Sequence, residues 1–192
     1  MNKNNNKNTS ELILDTAQAI VQQFGFNGFS YSHIAEKVGI RNASIHYYFP
    51  NKEDLGEALI SRYLRSFLVY VDQVDADTSN NVEKLRKFIL LYNGPVQEYC
   101  TCLSVTLSAD LATLSGKVQA GLSKFFTANL AWLERVMEEG KREGQLKFEG
   151  TAEVEAHHFL ASLQGAQLLS RSFHDTSKFE QITSSLMSAL VK

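Results

Sequence analysis

The sequence holds 192 residues, 44% of them hydrophobic, with 19 Lys+Arg against 21 Asp+Glu and a formal net charge of −2. That length allows one domain or two and an ordinary soluble core, and the near-balance of charge gives no overall case for nucleic acid. The absence of an apolar run near 18 residues or a signal-peptide core excludes a transmembrane helix and an export signal from the expectations. With two cysteines, this points to a reduced, cytoplasmic chain rather than a disulfide framework.

The opening residues, MNKNNNKNTS, are polar and rich in Asn and Lys, so residues 1–9 read as a disordered leader. Beyond them only Pro50 and Pro95 interrupt long patterns of helical period, and no stretch alternates with period two. The fold class is therefore all-α, with about nine helices. In the first helix Ser10 can cap, and Ile13, Ala17, Ile20, Val21 and Phe24 form an apolar stripe that stops at Gly25. The loop FNGFS carries two aromatics to plug a small core, and Ser30 can cap the next helix.

That helix, about Tyr31 to Val38, buries Ile34 and Val38 and keeps Ala35 small for close helix approach. Gly39 supplies a turn and Ile40 points inward. A second short helix, about Asn42 to Phe49, turns Ile45 and Phe49 to the core. It leaves Asn42, Ser44, His46, Tyr47 and Tyr48 on the other face. A helix needing only solubility would carry Glu, Lys or Gln there, whereas hydroxyls, an amide, an imidazole and phenols can meet phosphates and base edges. After Pro50, Asn51 can cap a further helix with Asp54 in its first turn, and Lys52 is placed to meet a phosphate. Up to residue 65 there are 7 Lys+Arg against 6 Asp+Glu, and 12 against 15 beyond, an asymmetry of the right sign for an N-terminal DNA reader.

The rest is helical. A long helix passes through Leu59, Tyr63, Phe67 and Val71 to a polar loop at residues 72–81. A helix from Asn81 to about Tyr99 is broken near Gly94-Pro95. A short helix follows Cys102, and a long one runs from about Lys117 to Glu139. Residues 140–150 form the clearest loop, and the last two helices span about 152–173 and 177–190.

Ser30, Ile34-Ala35, Gly39-Ile40, Ala43-Ser44, Tyr47-Tyr48-Phe49 and Lys52-Glu53-Asp54-Leu55 stand at spacings that closely resemble the TetR family of bacterial transcriptional regulators. The resemblance is carried by residues 10 to about 56. It implies a helix-turn-helix DNA-binding domain at 10–56 and a regulatory and dimerisation domain at 57–192. The protein would be a homodimeric repressor, no enzyme, that binds double-stranded DNA at a near-palindromic operator. DNA-contacting residues would be Ser30, Tyr47, Tyr48 and Lys52, mainly on phosphates, Arg41, Asn42, Ala43, Ser44 and His46, facing or bordering bases, and His33. Two positions depart from the pattern. Arg41 stands where a small capping residue is common, with Asn42 expected to take over the cap, and His46 replaces a commoner aromatic.

The resemblance further implies a small-molecule inducer or an electrophile as partner. Phe67, Tyr92, Phe126 and Trp132 are candidates to line its pocket, although any helical core would use the same residues. Ala161, Gly165, Leu168 and Leu169 offer small residues amid apolar ones for a dimer interface. The stretch from Cys102 resembles the electrophile- and redox-sensing, NemR-like branch of the family, which makes Cys102, with Cys100 beside it, a candidate sensor. A thiolate at a helix N-terminus is activated, yet a free cysteine is most often a small buried hydrophobe. No cofactor or metal is expected, since Cys100 and Cys102 lack further ligands nearby. The alternatives are a ligand-independent global regulator or activator on the same DNA-binding domain and, remotely, a helical-bundle enzyme.

Overall fold

The computed structural model describes residues 3–192, with side chains from Thr9 onward. Among the described residues the chain forms nine α-helices and no named strand. They divide between two compact units. The first comprises residues up to Leu64 together with Leu103–Lys124; the second comprises Arg65–Cys102 and Phe125–Lys192.

The first unit contains α1 (Lys3–Phe24), α2 (Tyr31–Val38), α3 (Asn42–Tyr48), the start of α4 (Lys52–Asp77), α6 (Leu103–Ala109), a 3-10 turn at Leu111–Thr113 and the start of α7 (Gly116–Arg142). Helix α1 begins at Lys3 rather than behind a Ser10 cap, and Met1 and Asn2 of the expected leader lie outside the described residues. Its stripe of Ile13, Ala17, Ile20 and Val21 is buried, and Leu14 joins it. Phe24, expected in that stripe, is 59% exposed at the last residue of α1, although Ile20 and Val21 before it are buried. Phe26 and Phe29 are buried and meet edge to face, 5.6 Å between centroids, as the plug expected of this loop.

A second segment holds that loop from a distance in sequence. Asp110 Oδ2 accepts the Phe26 N–H at 2.7 Å, and its Oδ1 accepts the Asn27 side-chain amide at 3.0 Å. The same amide nitrogen donates to Thr113 Oγ1 at 2.8 Å. Gly25, at φ 85°, turns the chain there, and a Cβ on it would come within 3.3 Å of Asp110 Oδ2. Arg62 on α4 braces α1 through Asp15 at 2.6 Å and Gln18 at 3.0 Å.

The second unit contains the rest of α4 and α7 with α5 (Asn81–Gln97), α8 (Ala152–Phe173) and α9 (Ser177–Leu190). Helix α4 runs on through most of the expected loop at 72–81, since Val74 is buried and supplies the next turn of its apolar face. Helix α5 does not break at Gly94-Pro95. Pro95 falls in its final turn, where a missing N–H removes a single hydrogen bond. Helix α7 likewise extends to Arg142, into the expected loop.

Asp75 ties three elements of this unit together. It accepts from Trp132 Nε1 at 3.1 Å and from Arg135, and it pairs with the buried Lys84 at 3.0 Å. Burial acts to raise its pKa, but the hydrogen bonds from Lys84, Trp132 and Arg135 outweigh it and hold the carboxyl below its usual value. A depressed folded-state pKa contributes stability above the unfolded value, near 3.9, that is lost as pH falls through the folded one. In thermal melts across pH, Asp75→Asn should therefore lie below wild type above about pH 5, with the gap closing as the pH drops below about 4. A gap that widens on acidification would contradict the assignment.

Candidate nucleic-acid interface

Helix α2 starts at Ser30, whose backbone is extended (φ −128°, ψ 164°). The Ser30 N–H donates to His33 Nδ1 at 3.3 Å, so His33 stands in the place a capping-box Glu would take. Because Nδ1 accepts, the neutral ring carries its proton on Nε2 and presents a donor outward. Gly39 ends the helix in the left-handed region (φ 74°, ψ 32°), and the Gly39 and Ile40 N–H groups both close on the Ala35 carbonyl, at 2.9 and 3.0 Å. A glycine takes this conformation at no steric penalty, and that sets the angle at which α3 leaves.

Helix α3 has one buried residue, Ile45, and Phe49 is buried just behind it. Arg41, not Asn42, holds the N-cap position (φ −78°, ψ 147°), and it offers no side-chain cap. The expected transfer of capping to Asn42 does not occur: Asn42 is already the first helical residue, and the Arg41 carbonyl accepts the first turn's bond from the Ser44 N–H at 2.8 Å. Both side chains remain exposed. So do Ala43, His46 and Tyr47, while Ser44 and Tyr48 are half-buried. Tyr47 is 73% exposed and meets the Tyr48 ring edge to face at 5.1 Å.

The far end of α3 is fixed by contacts the sequence did not announce. The Tyr31 hydroxyl donates to the carbonyls of Phe49 and Asn51, pinning α2 to the link between α3 and α4. Burial first, and the charge of Asp54 second, push the Tyr31 hydroxyl up to about 12, so it stays a donor at any working pH. Its ring lies 4.8 Å from that of His46, whose Nδ1 sits 3.0 Å from the Pro50 carbonyl oxygen. Asn51 caps α4 by accepting the Asp54 N–H at 2.9 Å.

Lys52 is turned inward. Its ammonium donates to the Phe29 carbonyl at 2.9 Å and lies over the Phe29 and Phe26 rings, 4.3 and 5.1 Å from their centroids. Burial lowers its pKa, with the Asp110 charge pulling the other way. A phosphate contact would have to share the ammonium with this bond. Of the ten residues expected at DNA, Arg41, Asn42, Ala43, Ser44, His46, Tyr47 and Tyr48 come together on α3 and its N-cap, Ser30 and His33 sit at the start of α2, and Lys52 faces the loop.

In the second unit, Phe67, Tyr92 and Trp132 gather around the buried Phe88. Trp132 and Tyr92 stack on it at 5.4 and 5.1 Å, and Phe67 meets it edge to face at 6.2 Å. Phe126 is half-buried beside Phe125, and that ring in turn meets Phe67 at 5.6 Å. Cys102 is 2% exposed, and its N–H donates to Gln167 Oε1 at 3.0 Å; the Gln167 amide donates to the Tyr92 carbonyl at 2.6 Å. Cys100 is half-buried, and burial pushes its thiol pKa up against a smaller pull from Arg171. On α8, Leu168 and Leu169 are exposed with Val154 and Phe173, Ala161 is exposed, and Gly165 has open space beside it. Among the described residues, no group of three His, Cys, Asp or Glu could hold a metal, and no helix is long and apolar enough to cross a membrane.

Two short helices joined by a glycine turn, the second with one buried side and an exposed polar and aromatic side, define a helix-turn-helix DNA-binding protein. Residues 13–59 match the family described as bacterial regulatory proteins, tetR family. The chain is 26% identical over 182 residues to the HTH-type transcriptional repressor NemR of Escherichia coli (strain K12), spanning 90% of each. A TetR-family transcriptional regulator from Agrobacterium tumefaciens superposes with a TM-score of 0.92 at 31% identity, covering 97% of this chain and 100% of that one. A TetR regulator from Legionella pneumophila gives 0.85 at 30%, covering 96% and 97%. The chain belongs to the TetR family of transcriptional regulators. It is a DNA-binding regulator rather than an enzyme.

Proposed function

We propose that the protein is a homodimeric repressor that occupies a near-palindromic operator and leaves it when the second unit receives a signal. The observation that carries this reading is the split of α3 into buried Ile45 and an exposed face of Asn42, Ala43, His46 and Tyr47. A recognition helix needs that division, because one side must pack while the other meets base edges. Ser30 and His33 at the start of α2, with Tyr48 and Lys52, are assigned to phosphates, and Arg41 to Ser44 with His46 to the bases.

The exposed apolar residues of α8 support dimerisation. Leu168, Leu169 and Phe173, 45–66% exposed, are more readily explained by a second copy than by solvent. Two recognition helices would then meet successive major grooves about 34–36 Å apart. The signal is assigned to a small molecule acting near the Phe67, Tyr92, Phe126 and Trp132 group, or to modification of Cys102. Cys102 is 2% exposed, so the second route requires the segment that Gln167 holds to open before a reagent reaches the thiol. A signal must favour one of two states to act at all.

Genome-wide mapping of bound DNA, followed by gel shifts on a recovered site, tests the reading. The expected site has two related half-sites one helical turn apart, bound by two chains. Leu169→Glu should give a monomer by sedimentation and at least about tenfold weaker operator binding, through loss of avidity. Bound fragments that share no sequence would refute the proposal.

A further inference from the structure

His46 stands at a position where its outward chemistry is determined by what holds its other side. The Pro50 carbonyl oxygen, 3.0 Å from Nδ1, can only accept, so Nδ1 carries the proton. A ring turned over would lose this bond, and the ring lies 4.8 Å from that of Tyr31, tilted by 57°. Tyr31 is itself held by the two carbonyls, of Phe49 and Asn51, that its hydroxyl engages. In the neutral imidazole, Nε2 is then a lone-pair acceptor on an exposed side chain. His33 has the opposite arrangement, with Nδ1 accepting from the Ser30 N–H. The same residue type is thus set as a donor at the start of α2 and as an acceptor on α3.

An acceptor has one kind of partner in the major groove of duplex DNA, the exocyclic amine that each base pair carries. Phosphate oxygens, guanine O6 and N7, adenine N7 and thymine O4 are all acceptors and offer it nothing. In the major groove only the exocyclic amines, N6 of adenine and N4 of cytosine, donate. We propose that His46 is a specificity-determining residue whose Nε2 accepts a hydrogen bond from the exocyclic amine of an adenine or cytosine in each half-site. The inference rests on α3 being the recognition helix. It differs from a phosphate role for this histidine, which would require the ring to donate.

The test uses operator DNA recovered by selection from a random pool, with binding measured at about pH 8. Wild type is expected to prefer one base pair at one position per half-site, with its adenine or cytosine on a fixed strand. His46→Ala should lose that preference while keeping the rest of the selected sequence. His46→Arg should select guanine there, whose O6 and N7 accept a guanidinium. Replacing that adenine by purine lacking only the 6-amino group, or that cytosine by its analogue lacking only the 4-amino group, should weaken wild type about 5- to 10-fold. The same replacement should leave His46→Ala unaffected. If wild type selects a sequence but no amine removal affects it more than His46→Ala, the inference is wrong and the recognition-helix reading stands. If wild type selects no sequence, both fail.

Discussion

Ala43→Asp should weaken operator binding by at least about 100-fold without lowering the melting midpoint. Ala43 is exposed in the first turn of α3, so the new side chain meets no packed atom. An acidic residue in the first turn also complements the helix dipole, by about 0.3–1 kcal/mol, so the isolated fold is held or slightly favoured. Against DNA the sign reverses, because a carboxylate placed among phosphates and base acceptors meets like charge, a penalty of several kcal/mol. Fluorescence anisotropy on the mapped operator, beside calorimetric melting, separates the two effects. Unaltered affinity would remove this face of α3 from the groove.

Ile45→Ala, two positions away on the opposite side of α3, should do the reverse. Ile45 is fully buried and is the one apolar anchor within α3 itself. Truncating a buried Ile to Ala typically removes about 2–5 kcal/mol, by lost transfer energy and by the cavity left behind. Seven residues are too few for a helix to persist without such packing. Urea unfolding should show the loss directly, and Ile45→Val should recover most of it. A variant as stable as wild type would place α3 off the core.

The division of α3 was legible in the sequence because it depends on local spacing. Ile45 and Phe49 recur four apart, and the polar and aromatic tips fall between them. Glycine at 39 carried equally clear information, since few other residues end a helix in the left-handed region. What could not be read was anything set by contacts across the chain. Phe24 fits the stripe of α1 by period and yet is exposed, because period fixes a face and not whether a neighbour covers it. Lys52 reads as a free cation at a helix start, but its ammonium already donates to a carbonyl of the preceding loop. Tyr31 looks like any first-turn residue until its hydroxyl is seen to reach 18 residues ahead to Phe49. Nor could periodicity show that a proline in the last turn of α5 shortens nothing.

The grip of Asp110 on the loop after α1 bears on how this protein could be re-engineered. The sequence invites a cut near residue 56, as though the DNA reader were a cassette to be transplanted onto another sensor. A graft made there would leave behind the carboxylate that fastens residues 26 and 27, along with the Thr113 hydroxyl beside it. Its loop amides would face solvent, and the ammonium of Lys52 would lose a nearby counter-charge. A working chimera would have to carry residues 103–124 as a second, discontinuous insert, because the reading head is assembled from two stretches of chain.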